Sequence, residues 1–287
     1  MEKESKKKIR PAQQQRRPGR EAKMNPVPLT APVHYPETGK LQNKVALITG
    51  GDSGIGKAVA LLFAKEGADV AIVYLSETAD AKKTKKEVES FGVQCILLKG
   101  DLSKEKFCEK VINKTVDRYR KIDIVVNNAA LHWESETLEE ISTDQLMRTF
   151  KNNFFSCFWI TKYALPYLKK GSSIINTSSV TAYRGSSHLM DYAATKGAII
   201  SFTRSLSANL VERGIRVNAV APGPVWTPLI ASSFKPEKNS EFGSDSPMKR
   251  AGMPFEIAPS FLFLACEDSG FMTGQVLHPN GGEIVNG

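Results

Sequence analysis

Tyr192 and Lys196 stand four residues apart in "LMDYAATKGAII" (189–200), so a helix there puts the phenol and the ammonium on one face. A phenol ionises near pH 10 and is a poor base at neutral pH; a cation one helical turn away favours the phenolate. Such a pair suits proton transfer to or from a hydroxyl or carbonyl oxygen. A Lys-rich chain with seven Tyr produces one such spacing by accident, so the pair needs partners elsewhere.

The elements around it supply a scaffold. From Val45 onward short β-rich apolar runs alternate with longer helical ones. Strands are expected at 45–50, 69–75, 94–101, 122–129, 172–179 and 216–223. Helices are expected at 56–67, 78–92, 104–120, through most of 143–170, around Tyr192 to about Glu212, and at 255–266, and "GQVLHPNGG" (274–282) closes the chain. Continuous apolar strands in β-α alternation predict an α/β fold, a Rossmann-type doubly wound parallel sheet forming a single domain from residue 44 to 287. "ITGGDSGIGKA" joins the first strand to the first helix, the context of a dinucleotide fingerprint. There Gly50 permits a tight turn, Gly54 lets backbone approach a pyrophosphate, and Gly56 allows close helix packing at a terminus that favours negative charge.

With those motifs the chain resembles the short-chain dehydrogenase/reductase family in its single-domain form. "NNAA" (127–130) ends the fourth strand, "INTSS" (175–179) the fifth, "YAATK" (192–196) follows Ser179 by 13 residues, and "RVNAVAPGPVWT" (216–227) matches the turn that holds the nicotinamide end. The resemblance implies hydride transfer between a nicotinamide and a small carbonyl or alcohol: an aldehyde, ketone or sugar. It implies Tyr192 as acid/base, Lys196 as its tuner and a ribose contact, Ser179 on the substrate oxygen, and Asn153 (rather than Asn152) holding a relay water. It further implies cofactor contacts from Gly50, Asp52, Ser53, Gly54, Ile55 and Gly56, with Tyr74 at the end of the second strand. Asp101 and Leu102 would bracket the adenine, Asn128 and Ala129 would lie under its ribose, and Pro222, Gly223, Val225 and Thr227 would fix the other end. Ala130 departs from the family's usual Gly. NAD or NADP is expected. The second strand ends in Tyr74 and Leu75, without the usual Asp or an Arg, and Asp52 adds a negative charge nearby, which favours NAD. The Pro-rich start, "APGPVWTP" and "FGSDSPMKRAG" resemble a narrower, mostly bacterial group, some linked to general stress response and often labelled as like glucose or ribitol dehydrogenases.

The remaining features narrow the setting. Net charge is +9, but residues 1–24 hold nine Lys or Arg against three acids, so the basic character belongs to a tail that is expected to be disordered. Residues 25–43 are a Pro-rich extended arm that could wrap a neighbour. Nucleic-acid binding finds no support in the domain itself. No apolar run is long enough to span a bilayer and no signal core follows the start, so a cytoplasmic protein is expected. Four scattered Cys and four scattered His predict reduced thiols and no metal site. Leu131, His132, Trp133, Thr181, Tyr183 and Trp226 are expected to line the substrate pocket, under a mobile lid at 228–253. Family members commonly form homotetramers. The competing reading is a dinucleotide-binding regulator or scaffold without catalysis; the complete Asn153, Ser179, Tyr192, Lys196 set argues against it.

Overall fold

Seven strands form one parallel sheet: β1 (Val45–Thr49), β2 (Asp69–Tyr74), β3 (Cys95–Lys99), β4 (Ile124–Asn127), β5 (Ser173–Thr177), β6 (Arg216–Val220) and β7 (Val276–Leu277). Their order is β3-β2-β1-β4-β5-β6-β7 in the computed structural model, which describes residues 7–31 and 36–285. β1 is buried along its whole length because both faces are covered, which is why it reads as an unbroken apolar run. Leu47 pairs with Ala71 of β2 on one side and Val125 of β4 on the other. The winding direction reverses between β1 and β4, and at that reversal a crevice opens at the C-terminal ends of the strands.

The helices are α1 (Gly54–Lys65), α2 (Thr78–Glu89), α3 (Glu105–Tyr119), α4 (Thr143–Phe150), α5 (Ser156–Ala164), α6 (Thr181–Arg184), α7 (Met190–Leu210), α8 (Pro228–Ser233), α9 (Pro236–Glu241) and α10 (Pro254–Ala265). On one face α1 and α10 pack Phe63, Phe261 and Leu262 against Ile48 and Val126. On the other, α3, α5 and α7 bring Ile112, Ile160 and Leu210 onto Leu47 and Val125. The expected helix across 143–170 is broken by a π-helical turn, Lys151–Phe155, between α4 and α5. Such turns arise where an extra residue is accommodated in a helix, and they concentrate at functional sites.

Two expectations about the periphery change. Residues 1–6 of the expected tail and 32–35 of the arm lie outside the described residues, but residues 7–24 are not a free tail. The N–H groups of Ile9 and Arg10 donate to the Ser240 carbonyl, and that of Gln15 to Ala231. Further along the arm, the indole N–H of Trp226 donates to Pro26 at 2.8 Å and the Phe255 N–H to Leu29 at 3.1 Å. The segment has too few apolar groups to fold alone; the body supplies its partners. The stretch 228–253, expected as a mobile lid, holds α8 and α9. It forms a third small core in which Met24 of the arm joins Trp226, Ile230 and Phe234.

The firmest anchor of the arm is Glu21, which is 5% exposed. Its carboxylate accepts from the Gly54 N–H at 3.0 Å and from Lys57 Nζ at 2.9 Å. Burial alone would lower the Lys57 pKa, but Glu21 and then Glu87 more than offset it and hold it above the ordinary value. Removing one partner of a buried ion pair leaves an uncompensated charge, so Glu21→Ala is expected to lower the unfolding free energy by about 3–5 kcal/mol in urea titrations. The apolar double variant Glu21→Leu/Lys57→Met should recover most of it. A loss under about 1 kcal/mol for Glu21→Ala would show that this pair does not hold the arm.

Candidate active site

Tyr192 and Lys196 lie on the first turns of α7. Lys196 is 2% exposed; its ammonium donates to the Thr177 carbonyl at the end of β5 (2.7 Å) and sits 5.4 Å from the Tyr192 ring centroid. Ser179, two residues past β5, accepts from the Thr181 N–H at 3.2 Å and lines the same cavity as Tyr192. The expected trio is therefore brought together. The electrostatics differ from expectation. Burial pushes the Tyr192 phenol up to about 12, with the Ser179 bond opposing, and pushes Lys196 down to about 8. Desolvation is the largest cause of both shifts. At neutral pH this pair is a neutral phenol beside an ammonium, an arrangement that offers a proton rather than one that takes it.

Asn153 is 1% exposed and lies in the π-helical turn. Its Oδ1 accepts from the Leu131 N–H (2.9 Å), and its Nδ2 donates to the Leu131 carbonyl (2.9 Å) and to Thr195 Oγ1 (3.2 Å). With both amide hydrogens used, the side chain clamps the chain after β4 to α7. Asp191 was not singled out from the sequence. It is 3% exposed, accepts from Thr149 Oγ1 (2.6 Å) and Gln145 Nε2 (3.3 Å), and caps its neighbour's N–H, tying α4 to the turn that carries Tyr192. An acid beside a candidate catalytic Tyr was the one available signal.

A cavity of about 570 Å³ runs from this trio to the glycine loop. Gly50 and Gly54 have φ of +64° and +54°, the left-handed region that glycine adopts without strain. Gly56 lies behind the cavity: a Cβ there would fall 2.0 Å from the Gly50 carbonyl oxygen and 2.6 Å from Asn128 Nδ2. Thr49 Oγ1 accepts from the N–H groups of Asn128 and Ala129, at 2.9 and 3.0 Å, which locks the ends of β1 and β4 across the reversal. Asp52, Ser53, Gly54 and Ile55 line the cavity on one side; Pro222, Gly223, Val225 and Thr227 line it on the other. Tyr74 and Leu102 lie at its far end, with Asn128 and Ala129 on its floor.

Three expected positions fall elsewhere. Asp101 turns away to accept from the Ser103 N–H at 2.9 Å, a local turn that competes for its side chain. Trp226 is fully buried beneath the arm, with the Arg10 guanidinium 4.1 Å from its ring centroid, so it supports the wall without lining it. Tyr183 packs edge-on against His278 at 4.8 Å. Leu131, His132, Trp133 and Thr181 do line the cavity, as does Asn152.

The cavity fits a dinucleotide. Ser53 makes no side-chain cap, and the Ile55 and Gly56 N–H groups in the first turn of α1 have no backbone partner among the described residues. Glu21 takes only the Gly54 N–H, so the unpartnered donors of this helix start remain for an anion at the Ser53–Ile55 wall of the cavity. Near the adenosine end Asp52, on which the expectation of NAD partly rested, has its carboxyl pushed up to about 7, chiefly by burial and further by Asp80, Glu21 and Glu77. Glu77 is itself paired with Arg20 of the arm at 2.6 Å. The negative charge that would repel a 2′-phosphate is thus weakened from both sides. Among the described residues no cluster of acids, His and Cys could hold a metal, and no helix is long and apolar enough to cross a membrane.

A family model described as Enoyl-(Acyl carrier protein) reductase matches residues 50–283. General stress protein 39 of Bacillus subtilis is 53% identical over 96% of both chains. NADPH-dependent aldehyde reductase 1, chloroplastic, of Arabidopsis thaliana is 52% identical over 95% of this chain and 97% of that one. The crystal structure of a short chain dehydrogenase from Burkholderia cenocepacia in complex with NADP is 29% identical and superposes with a TM-score of 0.80, covering 85% of this chain and 98% of that one. The cofactors in these names run against the expectation of NAD. Overpacking at Gly56 tests the cradle. Gly56→Ala is expected to cost about 1–3 kcal/mol of stability and to weaken NADPH binding at least tenfold by fluorescence titration. Wild-type affinity would show that the close approach is not required.

Proposed function

This chain belongs to the short-chain dehydrogenase/reductase family of NAD(P)-dependent oxidoreductases, and from that premise we propose that it reduces a small aldehyde or ketone with NADPH as the cofactor. The observation that carries the reading is that Tyr192, Ser179 and the buried Lys196 line the same cavity as the glycine loop. Two O–H groups on one cavity suit a carbonyl oxygen, which needs a donor as it gains negative charge.

In this proposal the dinucleotide is held by the glycine loop from Gly50 to Ile55, by Asn128 and Ala129, and by Pro222, Gly223, Val225 and Thr227. Bound there, NADPH supplies the hydride. Ser179 orients the carbonyl oxygen and Tyr192 delivers the proton to it. The high phenol pKa favours this direction: at neutral pH the proton is present and the driving force runs towards an alkoxide. Lys196, still charged below about pH 8, holds the ribose hydroxyls and stabilises the phenolate left behind. Asn153 and Asp191 act through position, fixing Leu131 and the Tyr192 turn. The phosphorylated cofactor is supported by the relatives' names and by the weakened charge of Asp52 and Glu77. A homotetramer is supported by the aromatic seam on α5 and α7, where Phe158 is 43% exposed and its ring lies tilted against Phe202 at 5.4 Å.

The test is a panel of aldehydes, ketones and sugars with both cofactors, wild type beside Tyr192→Phe. Tyr192→Phe is expected to lower kcat by at least about a hundredfold with KM little changed. Reduction should be level from pH 6 to 7.5 and fall above pH 8 as Lys196 loses its proton. No Tyr192-dependent rate with any carbonyl or alcohol would favour a dinucleotide-binding scaffold instead. The NADPH to NADH preference in kcat/KM should exceed tenfold at pH 6 and shrink as pH rises through 7. Asp52 is then ionising and repelling the 2′-phosphate. A preference for NADH throughout would overturn the choice of cofactor. Light scattering should report four copies, and Phe158→Asp should lower that number.

A further inference from the structure

One wall of the cavity carries cations that the reduction does not use. Two guanidiniums approach the Trp133 indole: that of Arg17, from the N-terminal segment, is 5.0 Å from the ring centroid, and that of Arg148, from α4, is 5.1 Å. All three residues line the cavity. Neither guanidinium has a carboxylate within salt-bridge distance among the described residues. Glu134, the acid that acts on Arg17, is bonded to Lys238, and Glu283 on the cavity wall faces Arg184 at 3.4 Å.

Two buried nitrogens on the same wall lack hydrogen-bond partners among the described residues: Arg17 Nε and His132 Nδ1. His132 is 2% exposed and its ring meets that of Tyr192 edge-on at 5.1 Å, so the wall is continuous with the proposed proton donor. The Arg17 Nε–H, buried without an acceptor, is destabilising. Two like charges beside one ring add to that cost, and Arg17 is pushed below its ordinary pKa by burial and then by Arg148. An anion between the two arginines would relieve both costs, and the planar guanidinium fork is suited to carboxylate or phosphate oxygens.

We propose that the substrate carries, besides its carbonyl, an anionic group, a carboxylate or a phosphate, held by Arg17 and Arg148 beside Trp133. This rests on the reduction proposed above and makes the N-terminal arm part of the substrate site. His132, the chain neighbour of Trp133, meets the Tyr192 ring at 5.1 Å, so the anion site and the proton donor line one cavity.

The experiment compares matched pairs with NADPH: 4-formylbenzoate against 4-methylbenzaldehyde, and glyceraldehyde 3-phosphate against glyceraldehyde. The wild type should prefer the charged member of at least one pair by about tenfold or more in kcat/KM, and the pair that shows it tells carboxylate from phosphate. Arg17→Gln should lower that ratio about tenfold, mostly through KM, while Arg17→Lys keeps a larger share of it. Arg148→Gln, on a helix rather than on the arm, should lower the ratio as well, which keeps the test open if the Arg17 variants fail to fold. Ratios near one in both pairs, or ratios unmoved by both glutamine variants, overturn the proposal. Calorimetry with the unreactive pair 4-methylbenzoate and 4-methylbenzamide gives a readout without turnover. Tighter binding of the benzoate that depends on Arg17, in a protein that reduces nothing, would sink the reaction and keep this site. Tyr192-dependent reduction without any anion preference would do the reverse.

Discussion

The first turn of α1 is the constraint on which the rest depends. A helix start carries N–H groups with no partner inside the helix. Here the chain spends one of them, that of Gly54, on its own Glu21, and leaves those of Ile55 and Gly56 without a partner among the described residues. The helix can begin so close to β1 only because Gly56 has no side chain to meet the Gly50 carbonyl. The Thr49 hydroxyl and the Asn128 amide then bind the ends of β1 and β4 across the reversal of the sheet. Arm, glycine loop and sheet therefore converge on one helix terminus, and displacing any of them disturbs the other two.

Burial, more than charge pairing, sets the chemistry at the other end of the cavity. An ammonium near a phenol is ordinarily read as a device for making phenolate. In this interior both groups lose their water, and the neutral form of each gains. The outcome is a phenol that keeps its proton until a developing alkoxide asks for it. The same effect keeps His132 neutral: burial, then Arg17, Lys196 and Lys238, push it down to about 3. It is thus a packing and hydrogen-bonding group, not a second acid.

The basic N-terminal segment acquires a local meaning. Arg10 covers Trp226, Arg17 covers Trp133 and Arg20 pairs with Glu77, so three of its cations are used inside the chain. Part of a net charge that suggests an anionic partner thus fastens the segment over aromatic and acidic sites along the cavity.

Much of this was legible in the residues. The β-α alternation marked six of the seven strands to within a few residues, because strands buried on both faces must be largely apolar; β7, short and half-buried, carried no such signal. The glycine loop, Ser179, Tyr192 and Lys196 were legible because their chemistry depends on spacing along single elements. What the sequence could not show lay between elements distant in the chain. Glu21 reads as one acid in a basic, polar stretch until α1 and α2 enclose it. Asp101 reads as an adenine contact until its own turn claims it, and Trp226 as a pocket wall until the arm covers it. The tertiary structure alone decided whether the Tyr192 phenol would be lowered or raised, because desolvation depends on what packs around a group and not on which residue stands four positions away.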